Sequence, residues 1–163
     1  VNSTNPDEWR AAEEKLKEQK PLIQSYVMDE VFNKMEAGEA AMAPYYAGDY
    51  LTMKQENDDL AFVYPKEGTN KFVDVMCIPS SSENKKAAEL FINYMCEPEV
   101  ALHNANYLGY LCPVTAVLSD DRYVNKDNEV LYPKHEVKAQ FFHNLDQDTL
   151  DLLSKLWEDL KLA

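Results

Sequence analysis

Few residues of this chain have types and spacing that could do chemistry, and one of them is oddly placed. In KFVDVMCIP, residues 71–79, a lone aspartate, Asp74, interrupts an apolar run. Read as an extended strand, the run puts Phe72, Asp74, Met76 and Ile78 on one face and Val73, Val75 and Cys77 on the other. An unpaired carboxylate is costly to bury, so Asp74 needs a cation, a set of hydrogen-bond donors, or water. Aromatic residues cluster at the ends of the expected elements: Tyr45 and Tyr46 after an apolar stretch, Phe72 two residues before Asp74, and Tyr107 and Tyr110 around LGY. Strand ends and helix ends are where pockets open in α/β folds. An aromatic face attracts a cation by ~0.5–2 kcal/mol, and a carboxylate at contact by on the order of 4 kcal/mol in an intermediate dielectric. Together they would make an ammonium site. Two plainer readings stand beside this one: the rings are ordinary core and surface aromatics, and Asp74 is satisfied by backbone amides at a hinge.

Other chemistry finds little support. His103, His135 and His143 are far apart and lack HxxxH or HExxH spacing, so no local metal motif exists and no metal site is expected. There is no GxSxG, no Walker lysine loop and no GxGxxG, and four glycines leave little room for a phosphate-cradling loop. No catalytic residue and no cofactor is expected. The acidic pairs Asp58–Asp59 and Asp120–Asp121 sit in polar stretches that read as solvated turns. Cys77, Cys96 and Cys112 are odd in number and lack CxxC spacing, which reads as buried thiols acting as small hydrophobes.

The elements that must position these residues follow from pattern. With 163 residues the chain can bury one ordinary core. Its net charge of −13, from 29 acidic against 16 basic residues, argues against nucleic acid as a partner and weakly favours a cationic ligand. No run approaches the ~20 apolar residues of a membrane span. The chain begins VNSTNPDEW without Met, so a targeting signal is expected upstream. Asn5 or Thr4 caps a helix with Pro6 in its first turn and a narrow stripe of Trp9, Ala12 and Leu16. MDEVFNKMEAG predicts a second helix stopped at Gly38. Short strands are expected from Ala40, over 60–65, and over the Asp74 run, with a helix through DYLTMKQ between the first two. Helices follow over 85–96, with Ala88, Leu90, Phe91 and Tyr94 or Met95 facing inward, and again from Pro98. Leu150, Leu153, Trp157 and Leu160 repeat at helical spacing in a last helix capped by Asp148. Strands alternating with helices predict a layered α/β fold.

GEAAMAPYYAGDYL, FVYPKEGTNKFVDVMCIPSSSENKKAAELFINYMCEPEVA, LGYLCPV and the closing amphipathic helix together resemble the C-terminal half of the spermidine/putrescine-binding proteins of bacterial ABC importers. The resemblance spans nearly the whole chain. It implies an α/β, partial two-lobed periplasmic-binding-protein-like fold with short strands and flanking helices, whose cleft holds a polyamine between carboxylates and aromatic rings. Residues 1–73 would belong to the second lobe, 74–118 to the first, and 119–163, with the C-terminal helix, to the second again. Tyr46 and Phe72 fall where the family has tryptophans lining the cleft, Asp74 where it has a carboxylate gripping one ammonium, and Tyr110 where it has a cleft tyrosine. His143 falls at a hydrogen-bonding position for which Gln140 competes. The implied function is capture of spermidine or putrescine outside the cytoplasm, in the periplasm or on a cell-surface lipoprotein, and delivery to the membrane permease of an ABC importer. A clamp for a different small amine or anion, and an α/β lyase or hydrolase without a recognisable motif, are the alternatives. The 74–118 stretch would lack part of its own lobe, and self-association through its orphaned apolar surface is expected.

Overall fold

The computed structural model describes residues 2–163. Seven helices and two three-residue strands run in the order α1 (Pro6–Gln19), α2 (Glu30–Glu36), α3 (Ala47–Glu56), β1 (Thr69–Lys71), α4 (Lys85–Met95), α5 (Pro98–Leu108), α6 (Thr115–Leu118), β2 (Ala139–Phe141) and α7 (Gln147–Leu162). The chain divides into two compact units. One comprises residues up to Met28 with Asn70–Phe72 and Ala139–Ala163; the other comprises Asp29–Thr69 and Val73–Lys138. The expected lobe ranges 1–73, 74–118 and 119–163 cut the chain differently. Only the crossing after Phe72 falls near an expected boundary. Residues 29–69 and 119–138 pack together because, for example, the Tyr64 hydroxyl donates to the Val130 carbonyl at 2.5 Å.

In the first unit α1 packs on α7. Asn5 caps α1, its side chain accepting from Asp7 N–H at 3.0 Å, with Pro6 in the first turn. The cap of α7 is Asp146, which accepts from Thr149 N–H at 2.8 Å, and not Asp148, which lies in the first turn. An Ncap carboxylate reaches the third amide of the helix, and only Asp146 stands three residues before Thr149. Leu156 and Leu160 are buried between the helices, and Trp157 takes an edge-on contact from Tyr26, with centroids 5.2 Å apart. Lys20 Nζ binds the carbonyls of Leu160 and Lys161 at 2.9 and 3.0 Å, closing the C-terminus of α7 against its dipole.

The second unit has its core where α5 and α6 meet the 119–132 loop: Ala101, Leu102, Ala105, Val117 and Tyr123. α2 ends at Ala37, with Gly38 at φ +70° completing the stop. α5 ends at Gly109, also left-handed at φ +71°.

The expected strands do not form: 40–46, 60–65 and 72–79 lie outside regular ladders, and β1 and β2 pair only with each other among the described residues. A strand exists by virtue of a neighbour that satisfies its N–H and C=O groups, and alternation alone supplies none. The 72–78 run consequently shows both faces to solvent, Val73 and Val75 as well as Met76. α4 fits its predicted span, but its apolar residues face inward only in part: Ala88, Ile92 and Met95 are half-buried, while Leu90 is 63% exposed and Phe91 and Tyr94 are more than half exposed. The thiols are also not buried; Cys77 and Cys96 are exposed and Cys112 is half-buried. No helix among the described residues is long and apolar enough to cross a membrane.

Candidate functional site

Within the second unit, the N-terminus of α3 builds the chemistry. Tyr46 is its Ncap residue in extended conformation, Gly48 is buried in its first turn, and Asp49 follows at the third helical position, where the helix dipole favours a carboxylate. Tyr110 comes from beyond α5, turned by left-handed Gly109, and lays its ring directly over Gly48. A Cβ at position 48 would stand 2.5 Å from Tyr110 Cδ2 and Cε2, so only glycine admits the ring there. The backbones also approach closely, since a Cβ on Gly109 would touch the Gly48 carbonyl at 3.5 Å.

The Asp49 carboxylate stands beside the Tyr110 phenol. Burial first, then Asp49, by hydrogen-bonding attraction and by its charge, and the charge of Asp74 push the Tyr110 phenol well above the usual tyrosine range. Asp74 is therefore close enough to be felt at the same hydroxyl. It lies exposed in the extended segment after Phe72, and contact with water spares it the desolvation that a buried place would impose. Tyr45 completes the group. Its ring meets Tyr46 at 5.2 Å and Phe32 edge-on at 5.7 Å, and its phenol is pushed up by burial, then by the charges of Asp49 and Asp29.

Of the residues singled out in sequence, Tyr46, Asp74 and Tyr110 thus come together in one unit. Phe72, Gln140 and His143 lie in the other. Phe72 follows β1, Gln140 sits in the middle of β2, and His143 stands two residues past its end. Asn2 brackets that segment, donating to the Phe141 carbonyl at 2.7 Å and accepting from His143 N–H at 2.8 Å. Lys71 Nζ lies 5.2 Å from the Phe141 ring centre. Asp49 escaped the sequence reading, whereas the sequence marks Tyr45 beside Tyr46 as an aromatic at an element end. Asp49 sits in DYLTMKQ, read only as helix, and nothing local in the sequence announces that Tyr110, 61 residues later, will lie beside it.

Two cavities open elsewhere. One of about 490 Å³ is lined by the loop residues Asp121, Tyr123, Val124, Lys126, Asp127 and Asn128. The other, about 100 Å³, lies between Trp9, Leu16, Leu153 and Leu160 of the α1–α7 pair. Neither is lined by the singled-out residues. No group of three or more metal-ligating side chains occurs among the described residues.

Aromatic rings, with Asp49 beside the Tyr110 phenol and Asp74 within electrostatic reach of it, form a local negative field suited to an ammonium group. Known proteins place this arrangement in context. The chain is 33% identical over 112 residues to the spermidine/putrescine-binding periplasmic protein of Salmonella typhimurium, covering 69% of this chain and 32% of that protein. It is 30% identical over 135 residues to its namesake from Escherichia coli, covering 83% and 39%. Among solved structures, the spermidine/putrescine ABC transporter substrate-binding protein PotD from Streptococcus pneumoniae matches with a TM-score of 0.81 at 29% identity. A putative spermidine/putrescine ABC transporter protein from Listeria monocytogenes matches with 0.80 at 31%. Each of these structures matches 99% of this chain and 50% of its own. The chain spans about a third to a half of the length of these relatives, and its fold is a partial α/β fold of their two-lobed class. Residues 1–131 match the family of bacterial extracellular solute-binding proteins, and the chain belongs to that family.

Proposed function

We propose that this chain is part of an extracytoplasmic solute-binding protein that captures a linear polyamine, spermidine or putrescine, and delivers it to the membrane permease of an ABC importer. The observation that carries the reading is the Tyr110 ring laid over Gly48 next to Asp49 and the Tyr45–Tyr46 pair, with Asp74 within electrostatic reach, since a multiply protonated amine needs anionic contacts for its ends and flat walls for its methylenes. The names of the relatives agree with it. Asp74 would grip one ammonium, Tyr46 and Phe72 would wall the methylenes, Tyr110 would supply a wall or a hydroxyl, and His143 or Gln140 a hydrogen bond. Binding rather than catalysis is its role. The lobe assignment 1–73 and 119–163 against 74–118 belongs to the proposal for the longer protein. On its own this chain would self-associate through the 74–118 stretch, where Val75, Met76, Leu90 and Phe91 are exposed, and light scattering should show species larger than a monomer.

Calorimetry with putrescine and spermidine on a full-length protein containing this chain tests the reading. Binding of either amine is expected, with Asp74→Asn removing most of the affinity. Micromolar or tighter binding of an anion with no response to either amine would refute it, and unchanged affinity in Asp74→Asn would remove that residue from the site.

A further inference from the structure

Tyr110 occupies a stretch between regular elements. The α5 ladder ends where Gly109 N–H meets the Ala105 carbonyl at 3.2 Å, and the next backbone turn is Val117 N–H on the Val114 carbonyl at 3.0 Å. Side chains therefore fix it. Its ring rests on Gly48, next to Asp49, while its carbonyl accepts from the Tyr123 hydroxyl at 3.4 Å. Tyr123 is 2% exposed and belongs to the core, and its hydroxyl also meets that of Tyr132 at 3.3 Å. A carbonyl can only accept, so the Tyr123 hydroxyl is the donor in its contact with Tyr110, while in the contact with Tyr132 either hydroxyl can donate. The contacts run from Tyr132 through Tyr123 to the backbone of Tyr110.

We propose that Tyr123 is a positioning residue for the amine site: its hydroxyl holds the Tyr110 backbone so that the phenol meets Asp49 over Gly48. This rests on the function proposed above. Tyr123 touches no ligand and acts through Tyr110, and Tyr132 meets the Tyr123 hydroxyl on its other side.

The test compares Tyr123→Phe with Tyr132→Phe, both of which keep the ring and the packing. In a full-length protein, calorimetry with putrescine and spermidine should show Tyr123→Phe weakened about fivefold, the scale of one neutral hydrogen bond, and Tyr132→Phe within about twofold of the parent. In a Tyr110→Ala background Tyr123→Phe should cost nothing further, whereas a general loss of core stability would add in full. In this chain alone, the carbonyl ¹³C resonance of Tyr110 should move upfield in Tyr123→Phe and stay in place in Tyr132→Phe. Equal losses from the two variants, additivity with Tyr110→Ala, or an unmoved carbonyl resonance would overturn the proposal. If the parent binds amine and Tyr123→Phe binds it equally well, the positioning role fails and the function stands. If the parent binds neither amine, the function fails, and the carbonyl resonance still decides whether Tyr123 fixes Tyr110.

Discussion

Replacing Gly48 by alanine isolates the contact on which the candidate site is built. Taken alone, a Gly→Ala change in a helix stabilises by ~0.5–1 kcal/mol, because glycine loses more backbone freedom on folding. Here the new methyl would stand 2.5 Å from two Tyr110 ring carbons and 2.7 Å from Cγ, against the ~3.5–4.0 Å of an ordinary carbon contact. The ring must retreat by about an ångström. Overpacking of this kind costs ~1–3 kcal/mol. The balance is a loss of roughly 1 kcal/mol, or about 0.5 M in the urea midpoint for a slope near ~2 kcal/mol per molar. The same retreat exposes the phenol, so Tyr110 should ionise at lower pH in an absorbance titration. The raised Tyr110 pKa implies a stabilising contribution that is complete below the ordinary value of 10.0 and lost as pH climbs beyond it. In Gly48→Ala that alkaline loss should shrink. A variant with an equal or higher urea midpoint and an unchanged phenol titration would refute the reasoning.

Two further outcomes follow from groups away from the site. Arg122 holds Asp120 at about 2, below its ordinary 3.8, and also draws down Glu99, through bonds of 2.7 Å to each carboxylate. These contributions are complete above the ordinary carboxylate values and fade as pH falls toward about 2, so Arg122→Gln should flatten the fall of the thermal midpoint across that window. An unchanged slope would show that the pair contributes nothing, as exposed ion pairs can. Leu160 is 1% exposed beside the apolar cavity of about 100 Å³, and Leu160→Ala should cost ~2–5 kcal/mol. Hydrogen exchange should quicken in α1 and α7 and stay as it was in α5; uniform loss of protection would contradict the division into two units.

Local chemistry accounts for what could be read before any coordinates. Pro6 behind an Asn cap starts α1, left-handed glycines stop α2 and α5, and helical periodicity marks α7, because each of these signals acts within a turn or two of chain. Of the expected stripe Leu160 is buried and Leu153 half-buried, whereas Leu150 and Trp157 are exposed and Leu156, outside the stripe, is buried. Which residues belonged to the strand ladders was not legible in this way. VDVMC has the alternation of a strand and remains unpaired, since pairing depends on a neighbouring chain segment that alternation cannot supply. The apolar face of α4 likewise declared its periodicity without declaring a cover.

The candidate site shows the same division. Side-chain type alone marked Asp74, Tyr46 and Tyr110 as suited to an amine, because charge and aromatic character are properties of the residue. That Asp49 joins them, that Tyr110 lies over a glycine, and that Tyr123 grips its carbonyl were decided by the packing of α3 against the end of α5 and the 119–132 loop. Such contacts join positions 13 to 62 residues apart, and no local preference encodes them; they exist only once the chain has closed on itself.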